Sequence, residues 1–202
     1  MTMTPKPLFI GLGHYSRTGK DTFANAFIDY AHIWYPQLDV RRVSFASKLK
    51  AIAHDLYGWA GLQDEAYYNN PATEVHRDTP LEGLGGLTPV DVWVSLGTDA
   101  VRDNVWDGTW VDYVLRSKSA ADIIVISDVR FPNEVEAIRS VSGLLFKITR
   151  PGVRPRHTVA DQALVDYDGW DAEFSGQGDI ERLRSIARGQ AAYTCAKVWE
   201  SK

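Results

Sequence analysis

Residues 9–22 read Phe9-Ile10-Gly11-Leu12-Gly13-His14-Tyr15-Ser16-Arg17-Thr18-Gly19-Lys20-Asp21-Thr22, an apolar run followed by a turn and a lysine. A phosphate chain needs backbone N–H groups that point inward, the positive end of a helix dipole and a lysine that reaches its outer oxygens. The segment offers a strand over residues 8–12, a turn to Gly19, and Lys20 at the start of an apolar-periodic helix. We call residues 13–20 the phosphate loop and expect a nucleoside triphosphate to bind there.

The loop departs at two positions from the pattern G-x-x-x-x-G-K-[ST]. His14 stands where the first glycine is expected, and Asp21 stands where a magnesium-binding hydroxyl should be, with Thr22 next. Either the Asp21 carboxylate or the Thr22 hydroxyl can face the metal, and the sequence leaves this choice open. A glycine-rich turn without a ligand is disfavoured, because the Lys20 cation beside a positive dipole end costs energy unless an anion is present.

Composition limits the remaining classes of function. The chain has 202 residues, 45% of them hydrophobic, which predicts a single domain over residues 1–202. One cysteine, Cys195, excludes a disulfide within the chain and a cysteine-based zinc site, and fits a reducing, cytoplasmic compartment. The net charge of −4 argues against a broad nucleic-acid surface, and no stretch has the apolar length of a membrane span or a signal peptide.

Strands and helices alternate along the chain, which predicts an α/β fold. We expect a three-layer sandwich of the P-loop NTPase type, with a mostly parallel five-stranded sheet and helices on both faces. The predicted strands are residues 8–12, 40–45, 121–128, 144–149 and 170–174.

The sequence predicts where several helices begin. Thr88-Pro89-Val90-Asp91 predicts a capping box with proline in the first turn, and that helix is expected to run to about Arg102. Thr109 is likewise expected to begin a helix. Asn133 is expected to cap a short helix that ends at Val141, and a C-terminal helix is expected after Asp179. Residues 60–87 are polar and turn-rich, so we expect short helices and mobile loops there.

Asp128 ends the most apolar predicted strand. Ligands gather beyond the carboxyl ends of parallel strands, and a carboxylate there can hold magnesium or a water bound to it. The alternative is an acid that caps a helix or pairs with Arg130.

Cations recur near the predicted strand ends and helix starts, as a second phosphate site would require. They are Arg17, Lys48, Arg102, Arg130, Arg150, Arg154 and Arg156. Each taken singly is more often a solvated surface residue. Residues 150–158, stiffened by two prolines, predict a lid that closes over a phosphate chain, and the alternative is a basic surface loop.

The chain resembles the phage-type deoxynucleoside monophosphate kinases, which belong to the P-loop nucleoside monophosphate kinases. The resemblance covers most of the chain, and its most specific block is Asp128-Val129-Arg130-Phe131-Pro132-Asn133-Glu134. The other blocks are Arg17-Thr18-Gly19-Lys20-Asp21-Thr22, Phe45-Ala46 with Leu49-Lys50, Leu96-Gly97-Thr98-Asp99 with Arg102, and Trp110-Val111. In this family the Gly-Lys-Asp-Thr variant is a normal trait.

The resemblance implies transfer of the terminal phosphoryl group of ATP, with Mg²⁺, to a deoxynucleoside 5′-monophosphate. The implied catalytic residues are Arg17, Lys20, Asp128 and Arg130. The implied ATP-binding residues are Tyr15, Ser16, Thr18, Gly19, Lys20, Asp21, Thr22 and Arg150. The implied acceptor-binding residues are Arg17, Asp21, Lys48, Trp93, Arg102 and Arg130. The implied metal ligands are Asp21, Thr22 and Asp128.

Other implications stay open at this point. Tyr67, Tyr68 and Trp93 would form a wall of the base pocket or belong to the core. The family suggests a homodimer with a tryptophan-rich interface, in the host cytoplasm if the protein is phage-encoded, although a monomer fits equally. The sequence does not identify the base.

Three alternative functions compete with this reading. Another small-molecule kinase, of the dephospho-coenzyme A or phosphomevalonate type, would use the same phosphate machinery. A nucleotide-dependent switch would need a water-positioning residue, and no Gln or Asp-x-x-Gly segment follows a strand in a suitable place. An inactive P-loop fold would not require Lys20 and Asp128.

Overall fold

The computed structural model describes residues 6–116 and 120–202. Five strands form one sheet in the order β2-β3-β1-β4-β5, and every neighbouring pair is parallel. The strands are β1 (Leu8–Gly13), β2 (Val40–Val43), β3 (Ile123–Val129), β4 (Leu144–Thr149) and β5 (Ala172–Ser175). The predicted α/β class with a five-stranded parallel sheet is confirmed.

The α-helices match the predicted alternation. They are α1 (Lys20–Trp34), α2 (Phe45–Tyr57), α3 (Glu65–Asn69), α4 (Pro89–Val94), α5 (Thr109–Leu115), α6 (Pro132–Ser140), α7 (Val159–Gln162) and α8 (Ile180–Glu200). The capping box of Thr88 and Asp91 forms as predicted. A π-helix, Ser95–Arg102, follows α4, so the helical segment ends at Arg102 as predicted, and its π-helical turns were not predicted.

Two predicted boundaries are wrong for local reasons. The second strand ends at Val43, because the Ser44 hydroxyl accepts a hydrogen bond from the backbone N–H of Ala46 at 3.1 Å and begins α2 there. The helix expected from an Asn133 cap is preceded by Phe131, and the Glu134 carboxylate accepts the backbone N–H of Phe131 at 3.0 Å. In both cases a side chain bonds an N–H group that the first turn of a helix leaves without a helical partner.

Helices cover both faces of the sheet, as the side-chain alternation of β1 shows. Ile10 and Leu12 pack in a core that includes Phe27 of α1 and Ala187 of α8. Gly11 points to the opposite face, where a Cβ atom would lie 2.7 Å from Ile138 Cδ1 of α6. Successive side chains of a strand point to opposite faces, so these helices lie on different sides.

The chain divides into two compact units. The first comprises the residues up to Val43 and those from Leu115 onward, and it contains all five strands; the second is Ser44–Val114. Helices and turns, with no strand, make up the second unit as the structure describes it. Residues 60–87 contain the predicted short helices, and the mobility of their loops stays a prediction. Whether either unit folds alone is a question of stability, so the single domain stays a prediction.

The parallel sheet brings the chemical motifs of the first unit to one edge. Gly13 at the end of β1 lies opposite Val129 of β3 and Lys147 of β4. The phosphate loop, the end of β3 and the start of residues 150–158 therefore share the carboxyl edge of the sheet. Within residues 6–116 and 120–202, no helix has the length and apolar character needed to span a membrane.

Candidate active site

The phosphate loop turns through left-handed backbone conformations. His14 has φ 98°, Arg17 has φ 63° and Gly19, which precedes α1, has φ 101°. The left-handed region costs an L-residue about 1–2 kcal/mol, so glycine is preferred there. His14 therefore replaces the first glycine of the pattern while keeping a backbone conformation that glycine favours.

Lys20 is buried inside the loop that it ends. Its Nζ donates to the carbonyl oxygen of His14 at 3.0 Å and to that of Tyr15 at 2.5 Å. Burial, followed by the nearby Arg130 cation, lowers the pKa of Lys20 to about 7, although three carboxylates act in the opposite direction. These carboxylates belong to Asp21, Asp161 and Asp128. The lysine is thus held at the loop and its charged form is poorly stabilised there.

His14 is a second buried titratable group at this edge. The residue is 6% exposed, and its Nδ1 has no hydrogen-bond partner among the described residues. Burial, with the positive charges of Lys147 and Lys20, lowers the pKa of His14 to about 4. The imidazole is consequently neutral at physiological pH.

Asp21 projects from the first turn of α1 and forms an ion pair with Arg42. Arg42 lies on β2 and also donates to Asn25 Oδ1 at 2.8 Å and to Ser127 Oγ at 3.1 Å. The sequence analysis missed Arg42, because a single arginine in a short strand carries no local signal. Asp21 therefore has a cationic partner in this structure.

Arg130 is held at two points. Its backbone N–H donates to Glu134 Oε2 at 2.6 Å. Its Nη1 donates to Asp161 Oδ1 at 2.6 Å and to Ser16 Oγ at 3.1 Å. The structure therefore brings Arg130 against the phosphate loop, which the sequence analysis expected without a contact to support it.

Asp161 is the main residue that the sequence analysis did not select. The carboxylate accepts the backbone N–H of Ser16, at 3.0 Å, and that of Arg156, at 3.1 Å. Burial alone raises the pKa of Asp161, but these N–H groups, the Ser16 hydroxyl and Arg130 outweigh it, so the pKa is lowered and the group is ionised. Thr158, three residues earlier, caps a short helix at this point. Ser16, which Asp161 contacts, lies 145 positions away in the sequence, so no local pattern links the two residues.

The other predicted residues of the loop and lid occupy more open positions. Arg17 is exposed, and the Thr18 hydroxyl donates to the carbonyl oxygen of Tyr15 at 3.2 Å. Arg150, Arg154 and Arg156 are exposed in an irregular segment after β4. Their closure over a phosphate chain stays a prediction.

The predicted acceptor residues Lys48, Trp93 and Arg102 belong to the second unit. Tyr68 is 2% exposed in the core of that unit, and Trp93 packs against it edge-on with ring centres 5.1 Å apart. Tyr68 is thus a core residue, the second of the two roles considered for it. The Nζ atom of Lys48 lies 5.8 Å from the centre of the Tyr113 ring. Arg102 is the last residue of the π-helix.

The oxygen donors near Lys20 fit magnesium carried by phosphates. Mg²⁺ is usually held by one or two carboxylates, with phosphate oxygens and water completing its shell. Asp21 and Asp128 are both near enough to Lys20 to raise its pKa, and Thr22 adds a hydroxyl. The described ranges hold no group of three His, Cys, Asp or Glu residues that could bind a metal alone.

Comparisons with known proteins give relatives of one kind. No family model matches the sequence. A protein of Acanthamoeba polyphaga mimivirus, provisionally named a deoxynucleotide monophosphate kinase, is 33% identical over 180 residues, covering 80% of this chain and 86% of the relative. The deoxynucleoside-5′-monophosphate kinase of Escherichia phage T5 is 26% identical, covering 68% of this chain and 74% of the relative. The deoxynucleotide monophosphate kinase of Enterobacteria phage T4 is 27% identical over 96 residues, covering 45% and 40%.

Among solved structures, a sugar kinase of Janibacter sp. HTCC2649 covers 95% of this chain and 98% of its own, with a TM-score of 0.41 and 12% identity. That likeness is too low to bear on fold or function. The identity and coverage of the mimivirus relative carry the assignment instead. The chain belongs to the deoxynucleotide monophosphate kinase family.

Proposed function

We propose that the protein transfers the terminal phosphoryl group of ATP to a deoxynucleoside 5′-monophosphate, giving the diphosphate and ADP. The observation that carries this proposal is membership of the family combined with a phosphate loop in which Arg130 donates to Ser16 and lies near enough to the buried Lys20 to lower its pKa. The relatives named for this activity supply the substrate class. Lys20 and Arg130 at the loop support the proposal, because two polyanions require nearby cations.

The proposed reaction needs no nucleophilic side chain of the protein. The acceptor phosphate oxygen is already anionic, so no general base is needed to activate it. Catalysis then consists of holding donor and acceptor in line and neutralising charge on the transferred group. Cations and backbone N–H groups are sufficient for that task.

Lys20 is the proposed partner of the outer phosphates of ATP. Its ammonium donates to neutral oxygens, among them the carbonyls of His14 and Tyr15. A phosphate that replaced one of those carbonyls would raise the lysine pKa, since an anion favours the charged form. Arg17 and Arg130 are proposed to complete the charge around the transferred group, and the loop backbone and Arg150 to bind the rest of ATP.

Mg²⁺ bound with ATP would neutralise phosphate charge and orient the terminal group. The residues proposed to hold it are Asp21, Thr22 and Asp128. Asp21 would then exchange its Arg42 partner for the metal or its water shell. For the acceptor, we propose that Arg102 and Arg130, which both belong to the family blocks, clamp the monophosphate. Lys48 and Trp93 are proposed as further acceptor contacts.

The test is ADP release from ATP and Mg²⁺, measured separately with the four deoxynucleoside monophosphates, their ribose counterparts and no acceptor. We expect release that depends on a deoxynucleotide, and the best acceptor identifies the base. Release without any acceptor would instead indicate a hydrolase or switch. If no nucleotide accepts the phosphoryl group, dephospho-coenzyme A is the next acceptor to test, and its phosphorylation would contradict the proposal.

A homodimer also follows from the family resemblance as a proposal. Sedimentation at micromolar concentration should give twice the mass of one chain. A single-chain mass would contradict the dimer and leave the phosphoryl transfer untouched.

A further inference from the structure

Asp161 lies where three segments of the first unit meet. Its Oδ1 accepts hydrogen bonds from the backbone N–H of Ser16, from the Ser16 hydroxyl and from Nη1 of Arg130, at 3.0, 3.0 and 2.6 Å. Its Oδ2 accepts the backbone N–H of Arg156 at 3.1 Å. The Asp161 side chain is 1% exposed, whereas that of Arg130 is 23% exposed.

This arrangement satisfies a charge that would otherwise be costly. A buried carboxylate is tolerated when it is paired and fully hydrogen-bonded. Four donors meet the Asp161 carboxylate, and it also offsets the repulsion between Arg130 and the buried Lys20. Lys20 and Arg130 can thus both lie at the phosphate loop because the Asp161 carboxylate bonds both to Ser16 of the loop and to Arg130.

The backbones of both partners are fixed independently. Thr158 caps α7 and accepts the backbone N–H of Asp161 at 3.3 Å, which sets the direction in which that side chain leaves the helix. Glu134 accepts the backbone N–H of Arg130. The ion pair therefore joins two anchored residues, and little rotamer freedom is left to the guanidinium.

Asp161 accepts a hydrogen bond from only one nitrogen of the Arg130 guanidinium. Within the described residues, Nη1 makes the hydrogen bonds of the Arg130 side chain, while Nε and Nη2 have no hydrogen-bond partner. An arginine fork binds a phosphate through two parallel N–H groups. The contact with Asp161 thus orients the fork and leaves its other edge for an anion.

We propose that Asp161 is a positioning residue, which aims the free edge of the Arg130 guanidinium at the phosphoryl groups and aligns Ser16 of the loop with it. The inference rests on the proposed function, since it gives Arg130 its partner in phosphoryl transfer. Asp161 itself touches no substrate in this scheme. Its loss should therefore lower turnover more than it weakens ATP binding.

The test is a double-mutant cycle of Asp161→Asn and Arg130→Ala, with Asp166→Asn as the matched control of an exposed carboxylate nearby. Asp161→Asn should lower kcat by about 10- to 100-fold, with a much smaller change in the KM for ATP. In the Arg130→Ala background it should lower kcat no further. The proposal would be overturned if the kcat losses of the two single variants multiplied in the double variant. It would also be overturned if Asp161→Asn kept the wild-type kcat.

Two further measurements keep the result decisive. Should Asp161→Asn unfold at the assay temperature, Asp161→Glu replaces it in the cycle, since it keeps the charge and displaces the carboxylate by one methylene. NMR of the arginine side-chain N–H groups needs no activity: the Arg130 signals should broaden or shift in Asp161→Asn but not in Asp166→Asn. Unchanged Arg130 signals would refute the positioning role, whereas an inactive wild type with the expected NMR change would refute only the kinase assignment.

Discussion

At the residue scale, the phosphate loop stores unfavourable interactions around two buried basic groups. Lys20 and His14 both lie in the loop with lowered pKa values, and the His14 backbone is left-handed. These buried basic groups and the left-handed backbone lower the stability of the loop. An anion that binds there relieves part of the unfavourable energy, which couples stability to ligand binding.

Replacing Lys20 separates its proposed role in phosphoryl transfer from its effect on the stability of the protein. Lys20→Ala should lower phosphoryl transfer at least about 10²-fold, because the proposed charge contact between Lys20 and the phosphates would be lost. The unfolding midpoint should stay equal or rise, since a buried cation with only neutral hydrogen-bond partners is removed. Kinetic assay and urea unfolding check both parts, with the exposed Lys6→Ala as control. Full activity in a folded Lys20→Ala protein would remove the loop from the mechanism.

His14 should make stability depend on pH. Its pKa is about 4 when folded and near 6.5 when unfolded, so the unfolded chain binds the extra proton between these values. The free energy of unfolding therefore contains the full contribution of the neutral His14 imidazole above pH 6.5. That contribution, up to about 3 kcal/mol, is lost as the pH falls toward 4. Urea unfolding at pH 7 and 4.5 should show a smaller difference for His14→Gly, which keeps the left-handed φ, than for wild type. Equal differences would mean that His14 does not contribute.

At the element scale, the π-helix Ser95–Arg102 is the feature that sets the second unit apart. Asp103 N–H donates to the Thr98 carbonyl at 2.9 Å, five residues back, and Trp110 Nε1 donates to the carbonyl of Gly97 at 3.0 Å. Such wide turns are rare and often occur at functional sites. Here the wide turn ends at Arg102, a proposed acceptor residue.

Gly97 is required by packing in that helix. A Cβ atom there would lie 2.4 Å from Leu49 Cδ2, so Gly97→Ala should destabilise by about 1–2 kcal/mol through overpacking. Gly189 of α8 is the matched control, because a Cβ atom there meets nothing within 4 Å. Gly189→Ala should stabilise by about 0.5–1 kcal/mol through helix propensity. Urea unfolding of both variants checks the contrast, and equal shifts would contradict it.

Local signals predicted most elements, and nonlocal contacts explain what was missed. The capping box at Thr88, the apolar run of β3 and the glycine before Lys20 act within a few residues, so the sequence alone revealed them. The π-helix was missed because its apolar spacing resembles that of an α-helix over two turns. Asp161 was missed because Ser16 and Arg130 reach it only after the sheet has formed.

At the scale of the whole molecule, Cys195 reports on opening of the first unit. The thiol is fully buried in the core with α1, and burial raises its pKa to about 11. The thiolate is the reactive form, so a disulfide reagent should modify native protein at pH 7 only as fast as the core opens. Labelling should become rapid in urea. Rapid labelling of the native protein would contradict the packing of α8 against α1.

The strand order also dictates when the parts of this protein can form during synthesis. β1 and β2 do not pair with each other, since β3 lies between them and reaches the ribosome exit only after the whole of Ser44–Val114. The two early strands must therefore wait for a later partner while ribosomes add residues at roughly 5–20 per second. The continuous second unit faces no such delay. The contacts of Ser16 in the phosphate loop with Arg130 and Asp161 can form only after both of those later residues have been made, so this edge of the sheet is completed late in synthesis.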